Sequence, residues 1–169
     1  SLSNVDIALR ASEEQEKVLI YENDDLLSNA RLQKLKCSDS IKRGLLENRF
    51  VPFYQGIVDN KTKTIKKYEA LARLIMTNGD IISPADFLPT SKQTKTYNKI
   101  TMVIIQKALE DFRDSECSLS LNLSIDDIND KHTREFIFEQ IALFPEPSRL
   151  VFELLESENI GAYVQVKTF

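Results

Sequence analysis

The 169-residue chain carries 22 Lys and Arg against 26 Asp and Glu, for a formal net charge of −4, and its 42% hydrophobic and 28% charged content is that of an ordinary soluble globular protein with one domain or one plus part of another. No uninterrupted apolar run approaches the roughly 18 residues needed to span a bilayer, and the opening SLSNVDIALR lacks the basic start and apolar centre of a signal peptide; the chain is expected to be cytoplasmic, within a parent that missing N-terminal segments can still anchor to a membrane. The lysines are scattered rather than drawn into a stripe, which argues against DNA or RNA as a partner and means that an anionic ligand needs metal ions to help hold it.

In chain order, residues 5–11 read as the end of a helix and KVLIY, residues 17–21, as a β-rich strand with no partner nearby in sequence, together a remnant (1–24) of some larger domain. A long helical stretch follows over about residues 26–48, with Leu32, Leu35, Ile41, Leu45 and Leu46 at mostly helical spacing; we read 25–39 as a linker helix and place the start of a new domain (40–169) in its second part. Cys37 and Cys117 fit no metal-ligand spacing and are read as bystander thiols.

From Phe50 the period changes. RFVPFYQGIVD and IKKYEALARLI, separated by a short polar connection, read as a two-stranded hairpin, with Lys61, Lys63, Lys66 and Lys67 forming a solvated edge around its turn. Gly79-Asp80 makes a turn, Ser83-Pro84 starts a short helix over 84–88, and an amphipathic helix over about 97–112 carries Ile100, Val103, Ile104, Ala108 and Phe112 on one stripe. SLSLNL, residues 118–123, alternates as a strand, Ser124 with Asp127 forms a helix-starting capping arrangement, and a helix over about 133–143 leads through the turn PEPS to the strand RLVFELL. His132, the single histidine, stands among polar residues near a helix start and reads as solvated or capping. This βα alternation is that of a parallel sheet or barrel.

Three strands each place an oxygen-bearing residue in an apolar context: Glu69 in KYEALARL, Asn122 in LSLNLS and Glu153 in LVFELLE. Burying such groups costs several kcal/mol unless each is paired, hydrogen-bonded or bound to a cation. Oxygen ligands suit Mg²⁺ or Mn²⁺ rather than zinc, and in a βα barrel the C-terminal strand ends converge on one face. The plainer alternative puts both glutamates on solvated strand faces and Asn122 in a local turn.

Phe53-Tyr54-Gln55, Ile57-Val58-Asp59, and Glu69-Ala70-Leu71 with Arg73 resemble the opening of the EAL domain, including its name-giving tripeptide. The resemblance continues through Gly79 and Ser83-Pro84-Ala85-Asp86-Phe87-Leu88-Pro89, through Leu121-Asn122-Leu123-Ser124, and through Phe152-Glu153-Leu154-Leu155-Glu156-Ser157, in order and spacing over about residues 40–158. It implies an α/β fold, a partial TIM-like (β/α) barrel whose first strand pairs in a hairpin with the second and which stops after three or four strands. It implies cyclic di-GMP as ligand and, for the parent, metal-dependent hydrolysis to the linear dinucleotide pGpG. By resemblance Glu69, Asn122 and Glu153 hold Mg²⁺ or Mn²⁺, while Gln55, Leu71 and Arg73 contact the ligand; a guanidinium such as that of Arg73 can hold phosphate oxygens bidentately. Residues 6–11 and 17–21 resemble the last helix and strand of a GGDEF domain, without any cyclase active-site residue.

Departures accompany the matches. Gly56 stands where the family usually has Pro, an expected loosening of a turn after Gln55; residues 90–96, TSKQTKT, lack the acidic, Gly-containing sequence usual there; and Leu155 stands where Thr is common. The later Asp-Asp-Phe-Gly segment and Lys, which supply the remaining ligands and position the attacking water, are not in this chain. No catalytic set is complete, so the chain alone is expected to be inactive. Its unpaired strand edges are expected to pair with another copy or with other parts of the parent. The competing expectation is a degenerate domain that acts as a cyclic di-GMP receptor or interaction module.

Overall fold

A computed structural model describes residue 29 and residues 31–154. The expected features at 5–11, 17–21, Leu155 and 156–169 lie outside the described residues. The chain divides into two compact units, Ser1–Asp39 and Ser40–Phe169. Residues 31–46 are helical (α1), and every described strand belongs to the second unit.

Among the described residues one sheet of five strands is present: β1 (Phe50–Val58), β2 (Ile65–Ile75), β3 (Ile81–Ile82), β4 (Ser118–Leu123) and β5 (Leu150–Leu154). The order is β1-β2-β4-β5, with β3 beside β2. The first hairpin is antiparallel, and β2-β4 and β4-β5 are parallel, each crossover returning through helices. The short β3 was not anticipated, because two residues carry too little alternation to be read as a strand; it pairs Leu74 with Ile82 just after the turn at Gly79.

The helices are α2 (Pro84–Gln93), α3 (Tyr97–Asp111), α4 (Ile125–Asn129) and α5 (Lys131–Leu143), with a 3₁₀ turn at Pro147–Arg149. The expected capping arrangement forms: the Ser124 hydroxyl accepts from the Asp127 N–H at 3.3 Å, and the Asp127 carboxylate accepts from the Ser124 N–H at 2.9 Å. Asp130 caps α5 by accepting from the Thr133 N–H at 2.8 Å, leaving His132 exposed in the first turn. The helix after Ser83 is longer than its 84–88 reading. It runs through Pro89, whose missing N–H leaves only the carbonyl of exposed Ala85 to water, because Phe87, Thr90 and Ser91 are buried along one face and packing outweighs the lost bond. Within the divergent segment 90–96, residues 90–93 therefore belong to α2.

One face of the sheet is apolar. Ala70, Leu119, Leu121 and Leu123 pack with Ile105, Ala108, Leu109 and Phe112 of the α3 segment and with Ile137 of α5, all buried. Each such fully buried Leu, Ile or Phe side chain is worth roughly 1.5–3 kcal/mol. Phe50 meets Phe87 edge-on at 5.3 Å, seating α2 against β1, and the Lys107 ammonium donates to the carbonyls of Asn48 and Phe50 at 3.0 and 2.7 Å, fixing α3 against the start of β1. Gly44 of α1 lets that helix approach Phe50 and Leu74, where a Cβ would collide with the Leu74 side chain. Among the described residues no helix is long and apolar enough to cross a membrane.

Candidate functional site

The strand register decides which side chains share the other face. Cross-strand partners point to the same side, and side chains two apart along a strand do as well. Gln55 stands opposite Glu69, Phe53 opposite Leu71 and Val51 opposite Arg73. Glu69 stands beside Ser120, and Asn122 beside Glu153. Gln55, Glu69, Leu71, Arg73, Asn122 and Glu153 thus lie on one face, opposite the helix-packed core, together with Lys67 and Ser120. Asn122 and Glu153 are the next-to-last residues of β4 and β5, at the C-terminal strand ends.

Two of the candidate ligands touch. The Asn122 amide donates from Nδ2 to Glu69 Oε1 at 2.7 Å, so their head groups converge between β2 and β4. Glu153 is engaged otherwise: its Oε1 accepts a hydrogen bond from the Ser120 hydroxyl and pairs with Lys67 Nζ at 3.2 Å. The Ser120 bond, and then the bond and charge of Lys67, hold the Glu153 carboxyl below the usual glutamate range despite partial desolvation. The expectation that Lys67 belongs to a solvated edge is corrected here. Lys66 is exposed, whereas Lys67 shares the parity of Glu69 and reaches across β4 to a carboxylate. That parity was the readable signal, and it also marks Ser120, which sits two residues before Asn122 and was missed.

The three candidate ligand-contact residues are spread over the same face. Gln55 is exposed on β1. The Arg73 guanidinium lies 5.8 Å over the Phe53 ring and donates to the Ala72 carbonyl at 2.8 Å. Leu71 lines a cavity of about 260 Å³ between the strand ends and α2 and α3, with Glu69 and Asn122 also in its wall among Leu88, Tyr97, Ile100 and Ile104. Gly56 does not loosen a turn: it lies inside β1 opposite Tyr68, and a Cβ there would come within 2.9 Å of the Ile65 side chain, so the missing side chain permits close strand packing. The turn comes later, where Asp59 Oδ1 accepts from the N–H groups of Lys61 and Thr62 at 2.7 and 3.2 Å.

As a donor set, Glu69, Asn122 and Glu153 offer two carboxylates and an amide oxygen on adjacent strands, hard oxygens that fit an Mg²⁺- or Mn²⁺-like cation and not a thiolate or imidazole metal. Among the described residues no group of three or more His, Cys, Asp or Glu gathers at one point, so the amide is needed to complete any such set.

The EAL domain profile matches residues 38–167. The chain belongs to the EAL domain family. Its 30% identity over 120 residues with "Probable cyclic di-GMP phosphodiesterase PdeB" of Escherichia coli strain K12 takes in 67% of this chain and 23% of that protein. Cyclic di-GMP phosphodiesterase PdeB of Shewanella oneidensis is 26% identical over 169 residues, 94% of this chain and 20% of that relative. The chain thus spans about a fifth of the length of these curated relatives. The crystal structure of the Xanthomonas citri FimX EAL domain in complex with c-diGMP superimposes with a TM-score of 0.67 at 18% identity, over 82% of this chain and 55% of that one. The EAL fold is shared despite that low identity, consistent with the five-stranded α/β sheet described above.

Proposed function

We propose that the protein carrying this EAL segment is a phosphodiesterase that hydrolyses cyclic di-GMP to linear pGpG with Mg²⁺ or Mn²⁺. The observation that carries the reading is the convergence of Glu69 and Asn122 at 2.7 Å on the polar face, with Glu153 next to Asn122 in register. These three side chains would hold the cation, which when bound activates water and neutralises charge on the phosphodiester. Gln55 would meet the guanine edge with its amide, Leu71 would give apolar contact at the cavity, and Arg73 would swing from the Ala72 carbonyl to hold phosphate oxygens. Glu69, Asn122 and Glu153 do not by themselves make a complete catalytic set, so this segment alone is read as inactive. Its domain plan is read as a GGDEF remnant over 1–24, a linker helix over 25–39 and the N-terminal half of the EAL barrel over 40–169, within a cytoplasmic region of the parent. The exposed apolar side chains Ile57 and Val58 on the outer strand β1 support pairing with a second copy or with the rest of the barrel.

The alternative is a receptor that binds cyclic di-GMP without hydrolysing it. Its specific support is the Lys67–Glu153 ion pair, which occupies a candidate metal ligand. Turnover of cyclic di-GMP by the full-length product of the reading frame in Mn²⁺, beside a Glu69→Ala variant, separates the two. Hydrolysis abolished by the substitution supports the enzyme. Intact cyclic di-GMP with ligand retained supports the receptor.

A further inference from the structure

Lys67 is half-buried on the polar face, two residues before Glu69 on β2, and its ammonium crosses β4 to reach Glu153 on β5. Ser120, beneath that crossing, donates to the same Glu153 oxygen. The pair is 32% and 41% exposed in its side chains, so it is neither dry nor fully screened. Without Lys67 this face would present Glu69 and Glu153 on either side of Asn122 with no cation between the strands, and the two carboxylates would repel.

We propose that Lys67 is a tethered counter-ion of the metal site: its ammonium holds Glu153 while no divalent cation is bound, and it must release that carboxylate before Glu153 can join Glu69 and Asn122. This rests on the metal reading given above. The ammonium and the Ser120 hydroxyl both engage Glu153 Oε1, and a divalent cation at either oxygen of that carboxylate would be repelled by the adjacent ammonium, so the two cations compete for Glu153. Lys67 is therefore a positioning residue that raises the cation concentration at which the site fills. It offsets the repulsion between the Glu69 and Glu153 carboxylates by supplying a positive charge on the same face.

The test is Mn²⁺ binding to the full chain, followed at fixed ionic strength by calorimetry and by the loss of the free-ion electron paramagnetic resonance signal. Lys67→Met is expected to tighten the dissociation constant by about three- to fivefold, the range of a partly exposed ion pair. Lys67→Gln, which keeps a polar side chain, should repeat the effect. Lys66→Met, one residue away on the opposite face, should leave the constant within about 1.5-fold of wild type, because net charge alone acts weakly through solvent. Unchanged or weaker binding in Lys67→Met and Lys67→Gln overturns the proposal while the metal reading stands. Equal tightening in Lys66→Met also overturns it, since charge count and not pairing would then govern. Absence of Mn²⁺ binding in the wild type and in both Lys67 variants, at concentrations that saturate a control metalloenzyme, removes the metal reading and this proposal with it.

Discussion

Arg149 ties the strand that carries Glu153 to the end of α3. The side chain is buried and donates to three main-chain carbonyls: Nη1 to Phe112 at 3.3 Å and Cys117 at 3.0 Å, and Nη2 to Arg113 at 3.4 Å. It also stacks 4.8 Å over the Phe144 ring and meets Glu146 at 3.1 Å. The Glu146 carboxylate is exposed, so that ion pair adds little. Bonds from a charged donor to main-chain carbonyls contribute roughly 1 kcal/mol or more each, less at Phe112, whose carbonyl also accepts from the Ser115 N–H at 3.2 Å, and a desolvated cation–π contact contributes about 1 kcal/mol. The carbonyls at the C-terminal end of α3 also gain from an adjacent positive charge. Arg149→Ala should therefore destabilise the fold by about 3–4 kcal/mol, measured by urea denaturation with an unchanged m-value. Arg149→Lys should recover less than half, because a single ammonium cannot bridge carbonyls set around a planar fork. The same Arg149→Ala variant should weaken Mn²⁺ binding, since β5 begins at the next residue. A loss below about 1 kcal/mol in Arg149→Ala would show that the carbonyls find water as readily as the guanidinium, and the anchoring argument would fail.

Ser120→Ala should move the Glu153 carboxyl upward toward the ordinary glutamate value, followed by carboxyl-carbon NMR titration. Because the folded-state value is depressed, Glu153 contributes stability present above its unfolded pKa and lost as pH falls through the folded value; the variant should shrink that acid-sensitive component, and an unmoved titration would contradict it. Glu69→Gln keeps an acceptor for the Asn122 amide but removes charge, so stability should change by less than about 1 kcal/mol while Mn²⁺ affinity falls at least about tenfold; equal affinity would exclude Glu69 as a ligand. Ser124→Ala removes half of the capping box and should cost about 1–2 kcal/mol in thermal unfolding, with faster amide exchange at Asp127; protected exchange there would mean the cap is not what starts α4.

Much of this fold was legible because local chemistry and periodicity agreed. The alternation of SLSLNL, the stripe of Ile100, Ile104 and Ala108, and the pairing of Ser124 with Asp127 all specify their elements through interactions within a few residues. The family motifs likewise single out Glu69, Asn122 and Glu153, which the strand register places on one face. Where the reading went astray, tertiary contacts had overruled a local rule. The short helix expected over 84–88 stops before Pro89, yet burial of Phe87 and Ser91 carries α2 to Gln93. Gly56 suggested a loosened turn, yet its backbone lies in β1 against Ile65.

The sequence by itself determined the family, the order of strands and helices and the side-chain types available to the site, because those depend on residue identity and short-range spacing. Only the tertiary structure decided that Asn122 reaches Glu69 while Glu153 turns to Ser120 and Lys67. The reason is register: Lys67 and Glu153 are 86 residues apart in the chain, and nothing local says which strands will be neighbours or how far one slides along the next. A one-residue slip of β5 would send Glu153 to the opposite face, and the chemistry of this face rests on that alignment.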